Sequence, residues 1–550
     1  MLHKNWLRVC SSALLGASLV HSHKLSEHSQ SLFDESMTIG DAIYDPSVSY
    51  LRYFYYPLAA GPHETRSTVW YSVGLLQRNQ DNDVDEAVKI LRNVIGDQEK
   101  NTTVQWYGDY TVYPEQPTVG SPAYPPVIYN SWDPNWRGFI GTALIIIYEE
   151  FRRLLPDDVQ GLILDSLYNS TVGDTYRVGG VDGDNLYPAY SNAYLMRTVV
   201  SSWTGRKFHD ANMTAAGETD ALEFLGLFDR NHTLSEFNGP TYAGVSLYAL
   251  TIAAKYLAST NSTIGQNAPR LIQEIWEYES HLWNPSLRNL AGPWDRSYGY
   301  DMNNYVAIMS IWIWTLLGKD HVWNTDTFSS PIWTMTHADD FQISPVLAVL
   351  SSFHKSLLPH SVITRLSSFP EDDYTYTGHA FAPPADYSPR NITTWLSTNL
   401  TIGTASFNQS VVGGFSMDSS SFSPSVVQWG RSDESIGYFN LYPTETALIA
   451  EVAPYSLNLT YPLGNASSTF TFVLASNLLG AKRDISTLDD VEGLRIGVVG
   501  GTVDPVPEIS FCGLVGGACE VIHGFEFWNV TFSMPVNSSS IPSVWFDFEL

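Results

Sequence analysis

The amino-acid sequence predicts a multidomain α+β protein: an N-terminal incomplete (α/α) toroid of five or six helix pairs, then a C-terminal antiparallel β-sandwich. Three observations carry this. From about residue 50 to 358, apolar side chains recur at helical spacing, enough for about ten to twelve helices. Within that stretch one grammar repeats, a loop rich in aromatic, amide and carboxylate side chains followed by an apolar helix, and paired helices with such loops at one end describe a toroid. From about residue 362 the pattern becomes short, β-branched and aromatic segments separated by Gly, Asn, Ser and Pro, as in an antiparallel sandwich. At 550 residues the chain is too long for one ordinary core. The expected divisions are a signal peptide at 1–22, a lead-in at 23–48, the toroid at 49–360 and the sandwich at 361–550.

In chain order, the polar lead-in is expected to be loosely ordered. Val84, Ala87, Val88, Leu91 and Ile95 share a helix face, with Asp83 to cap its start and Gly96 to close its end. A Tyr- and Pro-rich connector at 106–129 is long for a compact domain, which points to a functional or surface-packed segment. The loop-to-helix junctions follow: 130–138 before a helix at 139–148, 182–192 before 193–203, 236–245 opening a helix that runs to about 257, 292–302 before 305–317, and 336–340 before 345–354. The third breaks the backbone at Gly239-Pro240, and proline is tolerated in a first helical turn. Strands are expected at 393–407, 425–430, 436–441, 469–474, 494–499 and 521–532, with a last one at 543–550.

Composition bounds the function. A net charge of −28 argues against nucleic acid and anionic membranes as partners. Lys4 and Arg8 precede a short apolar run at 9–20, the pattern of a secretory signal, so the mature protein is expected to be secreted and extracellular, without a membrane span. Glycosylation acceptors at Asn101, Asn169, Asn212, Asn231, Asn261, Asn391, Asn399, Asn408, Asn458, Asn465, Asn529 and Asn537 agree with export by a eukaryotic route. Cys10 falls in the signal; Cys512 and Cys519 are expected to form one local disulfide. Their only near histidine, His523, does not complete a zinc site, and the oxygen-rich loop of Asp182, Asp184 and Asn185 lacks EF-hand spacing, so no metal and no cofactor are expected. No phosphate-binding Gly loop, Gly-x-Ser-x-Gly elbow or His-Glu-x-x-His occurs.

The junctions supply the candidate site. Glu236, Asn238 and Tyr242 bracket one helix mouth, where they can present an acid, an amide and a phenol, or serve as a cap and a packed tyrosine. Arg296 can clamp a carboxylate or pair with a loop acid such as Asp301. His337, followed by Asp339 and Asp340, is either an oriented imidazole or a structural one. Trp132, Asp133 and Trp136 read as a sugar platform with an acid, or as loop packing. Asp184, Asn185, Tyr190, Asp295 and Tyr300 complete the candidate substrate contacts.

A helical toroid followed by a β-sandwich, exported and rich in aromatics, resembles the heparinase II/III and alginate-lyase type of polysaccharide lyase. The segments 184–186, 188–192, 236–242 and 295–301 also resemble those of secreted fungal proteins of this build. The first resemblance implies β-elimination on a uronate-containing glycan. It makes Asn238 the group that neutralises the uronate carboxylate, with Arg296 as helper. Tyr242 or Tyr298 becomes base and acid, with His337 an alternative base; no histidine here sits in a motif matching the catalytic histidine of those lyases. Three other uses of the same architecture stay open: an inverting glycoside hydrolase drawing on Asp133, Asp184, Glu236 and Asp295; an isomerase, cyclase or dehydratase of a small metabolite; and a non-catalytic glycan-binding glycoprotein.

Overall fold

The computed structural model describes residues 24–52, 62–296, 307–322, 338–411, 413–414, 422–432, 434–478, 485–513 and 525–550. The expected signal segment lies outside them, as do Tyr298, Tyr300, His337 and Cys519. Among the described residues the first two-thirds is helical: α1 (Glu27–Ile43), α2 (Thr65–Arg78), α3 (Asp83–Gly96), α4 (Trp136–Ile146), α5 (Asp157–Thr175), α6 (Ser191–Phe208), α7 (Ala211–Phe228), α8 (Tyr242–Tyr256), α9 (Thr263–Leu282), α10 (Ile308–Leu317), α11 (Ser344–Ser356) and α12 (His360–Ser367). No helix among these residues is long and apolar enough to cross a membrane.

Two kinds of helix alternate. α2, α4, α6, α8 and α10 are buried over almost their whole surface, whereas α3 and α9 bury one face and wet the other, the signature of an outer layer. The buried helices touch in the order α2, α4, α6, α8, α10, α11, and α11 returns to α2. Where they meet, His354 on α11 lies flat on Trp312, ring centroids 4.0 Å apart. Its Nε2 accepts from the Trp276 indole at 2.8 Å and its Nδ1 faces the Thr251 hydroxyl at 2.7 Å, so the ring is a neutral core group, and burial pushes its pKa down to about 3.

Two expectations about the helical part are corrected. The lead-in is not loose. Ser26 caps α1 by accepting from the Ser29 amide at 3.2 Å, and Leu32, Phe33, Met37 and Ile39 bury it against α10 and α11. Residues 362–364, expected to open the first strand, lie in α12, where Val362 and Leu366 are four apart on the buried face.

Short ladders join the helices: β1 (Tyr44–Asp45), β2 (Tyr50–Arg52), β3 (His63–Glu64), β4 (Trp283–Asn284), β5 (Asn289–Leu290) and β6 (Trp294–Asp295). The remainder of the described chain is strand: β7 (Tyr374–Ala380), β8 (Arg390–Leu396), β9 (Leu400–Asn408), β10 (Phe422–Ser423), β11 (Ser425–Gly430), β12 (Ile436–Tyr442), β13 (Ala447–Ala453), β14 (Ser456–Thr460), β15 (Thr469–Leu478), β16 (Arg495–Gly501), β17 (Glu508–Gly513), β18 (Phe525–Ser533) and β19 (Ser543–Glu549). All but β10 form one 12-stranded antiparallel sheet in the order β16-β19-β14-β13-β9-β11-β12-β15-β18-β17, with β8 and then β7 branching from β9. The sheet curls back on itself. Phe546 on β19 meets Phe439, Phe472 and Phe532 on β12, β15 and β18 at 5.6, 5.4 and 5.5 Å. The segment 393–407, expected to be one strand, is two, because Ser397 turns the chain by accepting the Leu400 amide at 3.1 Å. Cys512 is buried on β17.

The sheet is bolted to the helical part at β6. Asp295 pairs with Phe422 and Trp294 with Ser423 of β10. Arg390 of β8, 1% exposed, places its Nη1 2.7 and 2.8 Å from the two Asp295 oxygens and its Nε 2.9 Å from Asp386. The Thr394 hydroxyl donates to the Gly292 carbonyl at 2.8 Å, and β9 passes so close that a side chain on Gly403 would collide with that carbonyl.

Candidate functional site

Five helix starts and the end of β6 converge on one cavity of about 270 Å³. Its wall takes Glu64 and Arg66 from the start of α2, Asp133, Asn135 and Trp136 from the start of α4, and Tyr190 and Asn192 from α6. Thr241 and Tyr242 come from α8, Arg296 follows β6, and Asp339 and Asp340 precede α11. Helix N-termini carry free amides and positive dipole ends, so each start is a ready seat for a polar or anionic group.

One wall is a hydrogen-bonded chain. The Arg296 guanidinium lies 4.1 Å above the Tyr242 ring and 5.0 Å from that of Tyr190. Its Nη2 donates to the Tyr242 phenol oxygen at 3.2 Å and its Nη1 lies 3.1 Å from Glu236. The other Glu236 oxygen accepts from the Asn192 amide nitrogen at 2.8 Å and from its backbone N–H at 3.0 Å. Glu236, 1% exposed, stands behind Arg296 and fixes it. Arg296 itself has φ 52°, a left-handed backbone rare for a long side chain and concentrated at functional sites. Asn135 donates to the Tyr190 phenol at 3.1 Å, and burial raises the Tyr190 pKa against the pull of Arg296, which keeps that phenol neutral.

The opposite wall is acidic. Arg66 stacks among Trp70, Trp136 and Phe139 at 4.7, 5.1 and 4.9 Å; its Nη2 donates to Asp339 and, at 3.2 Å, to Asp340. Glu64 caps α2, accepting from the Arg66 amide at 3.1 Å and from the Ser67 amide. Burial raises Glu64 to about 7, with Arg66 opposing and Asp339 adding to the shift. Asp133, half-buried and accepting from the Asn135 amide at 2.9 Å, is also raised by burial.

Of the residues singled out in the sequence, Asp133, Trp136, Tyr190, Tyr242 and Arg296 line this cavity, and Glu236 holds Arg296. Four placements correct the sequence reading. Asn238 cannot neutralise a substrate carboxylate: it is fully buried at φ 51°, and its amide nitrogen donates to the Ala291 and Pro293 carbonyls at 2.7 and 2.9 Å. Asp295 is committed to Arg390 and to the Phe237 amide at 3.0 Å, away from the cavity; burial raises it to about 6 with Arg390 opposing. Trp132 and Asp184 face a neighbouring cavity; burial works against the Asp184 charge, but the Arg177 donors hold its carboxyl low. Asn185 is exposed and lines neither. Sequence reasoning missed Glu64 and Arg66. Their signal was a sixth junction of the same grammar, a Glu-x-Arg pair running into an apolar helix. Among the described residues no group of three or more His, Cys, Asp or Glu is placed to hold a metal ion.

Solved structures that resemble the chain include a heparinase III with methylated lysines, at 11% identity over 96% of this chain and 84% of that one, TM-score 0.37. Others are the chondroitin AC lyase of Streptomyces coelicolor A3 in complex with chondroitin sulphate, at 9% over 94% and 79%, TM-score 0.41, and the heparan sulfate lyase HepC of Pedobacter heparinus, at 7% over 96% and 83%, TM-score 0.30. No curated protein matches the chain in sequence. Residues 372–549 match the family described as "Domain of unknown function (DUF8770)". Residues 30–352 match the family described as "Domain of unknown function (DUF8769)", and it is to this family that the chain belongs.

Proposed function

We propose that the chain is a secreted polysaccharide lyase that cleaves a uronate-containing glycan by β-elimination in the cavity between the helix starts. In this reading the returning order of buried helices is an (α/α) toroid, and the curled sheet is a β-sandwich packed on it. The protein travels through a glycosylating export route, with Cys512 and Cys519 joined, to an extracellular location. The observation that carries the chemistry is the Arg296–Tyr242 contact, braced by Glu236 and Asn192. A guanidinium that donates to a phenol oxygen favours that oxygen as an anion, the form of a general base, and its positive charge attracts a uronate carboxylate. Tyr242 then takes the C5 proton, the electron pair forms the C4–C5 double bond, the C4–O bond breaks, and neutral Tyr190 gives its proton to the leaving oxygen. Two phenols held in different environments divide the roles of base and acid.

One observation favours a second reading. Glu64, raised to about 7, shares the cavity with Asp133, and two carboxyl groups in one site are what an inverting glycoside hydrolase uses. One experiment separates them: incubation with a panel of uronate and neutral polysaccharides, following both ultraviolet absorbance of unsaturated uronate and new reducing ends. Elimination gives both signals, and Tyr242→Phe lowers the rate by about 10²- to 10⁴-fold with the fold intact. Reducing ends without absorbance, lost in Glu64→Gln and kept in Tyr242→Phe, would sink the lyase reading in favour of hydrolysis.

A further inference from the structure

The second cavity, about 550 Å³, opens beside the first. Among its lining residues are Gln105, Tyr107, Trp132, Tyr176, Val178 and Val181. The two cavities adjoin: Trp132 lines the second while Asp133, its neighbour in sequence, lines the first. They also share a hydrogen bond. Arg177, on the second, donates from Nη2 to Asn135, on the first, at 3.2 Å, and is held rigid by Asp184 at 2.7 Å. The long connector noted in the sequence runs from one to the other. Its stretch around Gln105 and Tyr107 lines the second cavity, and Val112 and Tyr113 line the first.

Three features say what the second cavity takes. Tyr176 is 80% exposed, Val178 55% and Val181 50%: within six residues the fold holds three apolar side chains in water, all on this rim. The cation on this wall, Arg177, is paired with Asp184 and Asp174, and the exposed Asp182 adds negative charge, so recognition here draws on ring faces and hydroxyl-bonding groups rather than on attraction of an anion. The first cavity, at about 270 Å³, lies below the roughly 300–1,000 Å³ of ordinary small-molecule sites, so a polymer that reacts there must lie across more surface than that cavity offers.

We propose that the second cavity is an extension subsite for the same glycan chain, in which Tyr176 stacks on the apolar face of a pyranose beyond the reacting bond. This rests on the reading of the first cavity as a polysaccharide-cleaving site. It predicts a preference for polymer over short substrate that resides in Tyr176 and persists at high ionic strength, because ring stacking is not screened by salt.

The test compares the full-length wild type, Tyr176→Ala and, as a control exposed apolar residue on α7, Leu222→Ala. The probes are alginate, polygalacturonate, hyaluronan and chondroitin, each as polymer and as its shortest oligosaccharide that is turned over. In Tyr176→Ala the ratio of kcat/KM on polymer to kcat/KM on oligosaccharide falls about tenfold, corresponding to the loss of one stacking contact, and falls equally in high salt; Leu222→Ala keeps the wild-type ratio. An unaltered ratio in Tyr176→Ala, or a loss that vanishes in high salt, overturns the subsite. If the wild type turns over none of these polymers, the lyase reading fails, and gel retardation by the same polymers decides the subsite separately. Retardation of wild type but not of Tyr176→Ala supports it, and equal migration overturns it.

Discussion

Glu279 on α9 is fully buried, with no ion-pair partner among the described residues, and burial raises its carboxyl to about 8. In the folded protein it keeps its proton up to that pH, whereas the unfolded chain releases it near the ordinary glutamate value of about 4.3. Between those two values the unfolded state binds fewer protons, so stability falls as pH rises. Glu279→Gln removes this term: chemical denaturation at about pH 5 and about pH 8 should show a smaller loss in the variant than in the wild type. An equal loss in both would rule the residue out as a contributor. At this scale the sequence was half legible. Tyr242 and Arg296 could be read as site residues because the junctions that carry them repeat one polar and aromatic pattern along the chain. Asn238 could not be told from them, since its commitment is to carbonyls of residues 291 and 293, more than fifty positions away. Asp295 and Arg296 are adjacent yet serve opposite sides of the chain, because the strand ends at Asp295 and the left-handed backbone of Arg296 turns its side chain away.

At the scale of elements, the two-residue strand β6 is the most consequential. It carries Asp295 into the sheet interface and leaves Arg296 in the cavity. Gly403 on β9 makes this possible by having no side chain where the Gly292 carbonyl passes. Gly403→Ala must push β9 and the 292–296 segment apart. The expected outcome is a loss of about 1–3 kcal/mol in unfolding free energy, the range of overpacked cores, together with lower activity at temperatures where the protein remains folded. A variant as stable and as active as wild type would show that the segment is not clamped. The element pattern was legible where periodicity was strong, as in α3, α8, α11 and β11. It failed at α1, whose apolar residues are sparse in a polar stretch and gain their meaning only from α10 and α11, and at β8 and β9, whose turn is built from one serine rather than from glycine or proline.

Taken whole, the molecule stores protons. Burial raises the carboxyls of Glu64, Asp109, Asp133, Asp220, Glu279 and Asp295, the first to about 7 and the last to about 6. Each is a raised acid, so by the same sign its contribution is greatest below the ordinary carboxylate range and is lost as pH climbs through its folded value. Asp184 and Glu218, held low by Arg177 and by Thr263 and Arg206 despite burial, act the other way and set the acid limit. Thermal unfolding followed across pH should therefore give a maximum on the acid side of neutrality and a steady fall toward about pH 8; a maximum at or above neutrality would contradict it. The net charge of −28 adds self-repulsion in the same direction. The two-part architecture and its acidic character were legible from composition and periodicity. The closure of the helices onto α2 and the joining of the strands into one path were not, because the first depends on contacts such as Arg66 with Asp340 and the second on pairings between strands not adjacent in sequence, such as Ser456 with Asp547.

The two-residue ladder of β6 on β10 also has a genetic consequence. The family matches at 30–352 and 372–549 read like two interchangeable cassettes, yet the first contains Asp295 and the second contains Arg390, Gly403 and Phe422, which hold it. Recombination that exchanged the second cassette alone would keep every cavity-lining side chain and still misplace Arg296. The two halves are therefore expected to be inherited as a linked pair.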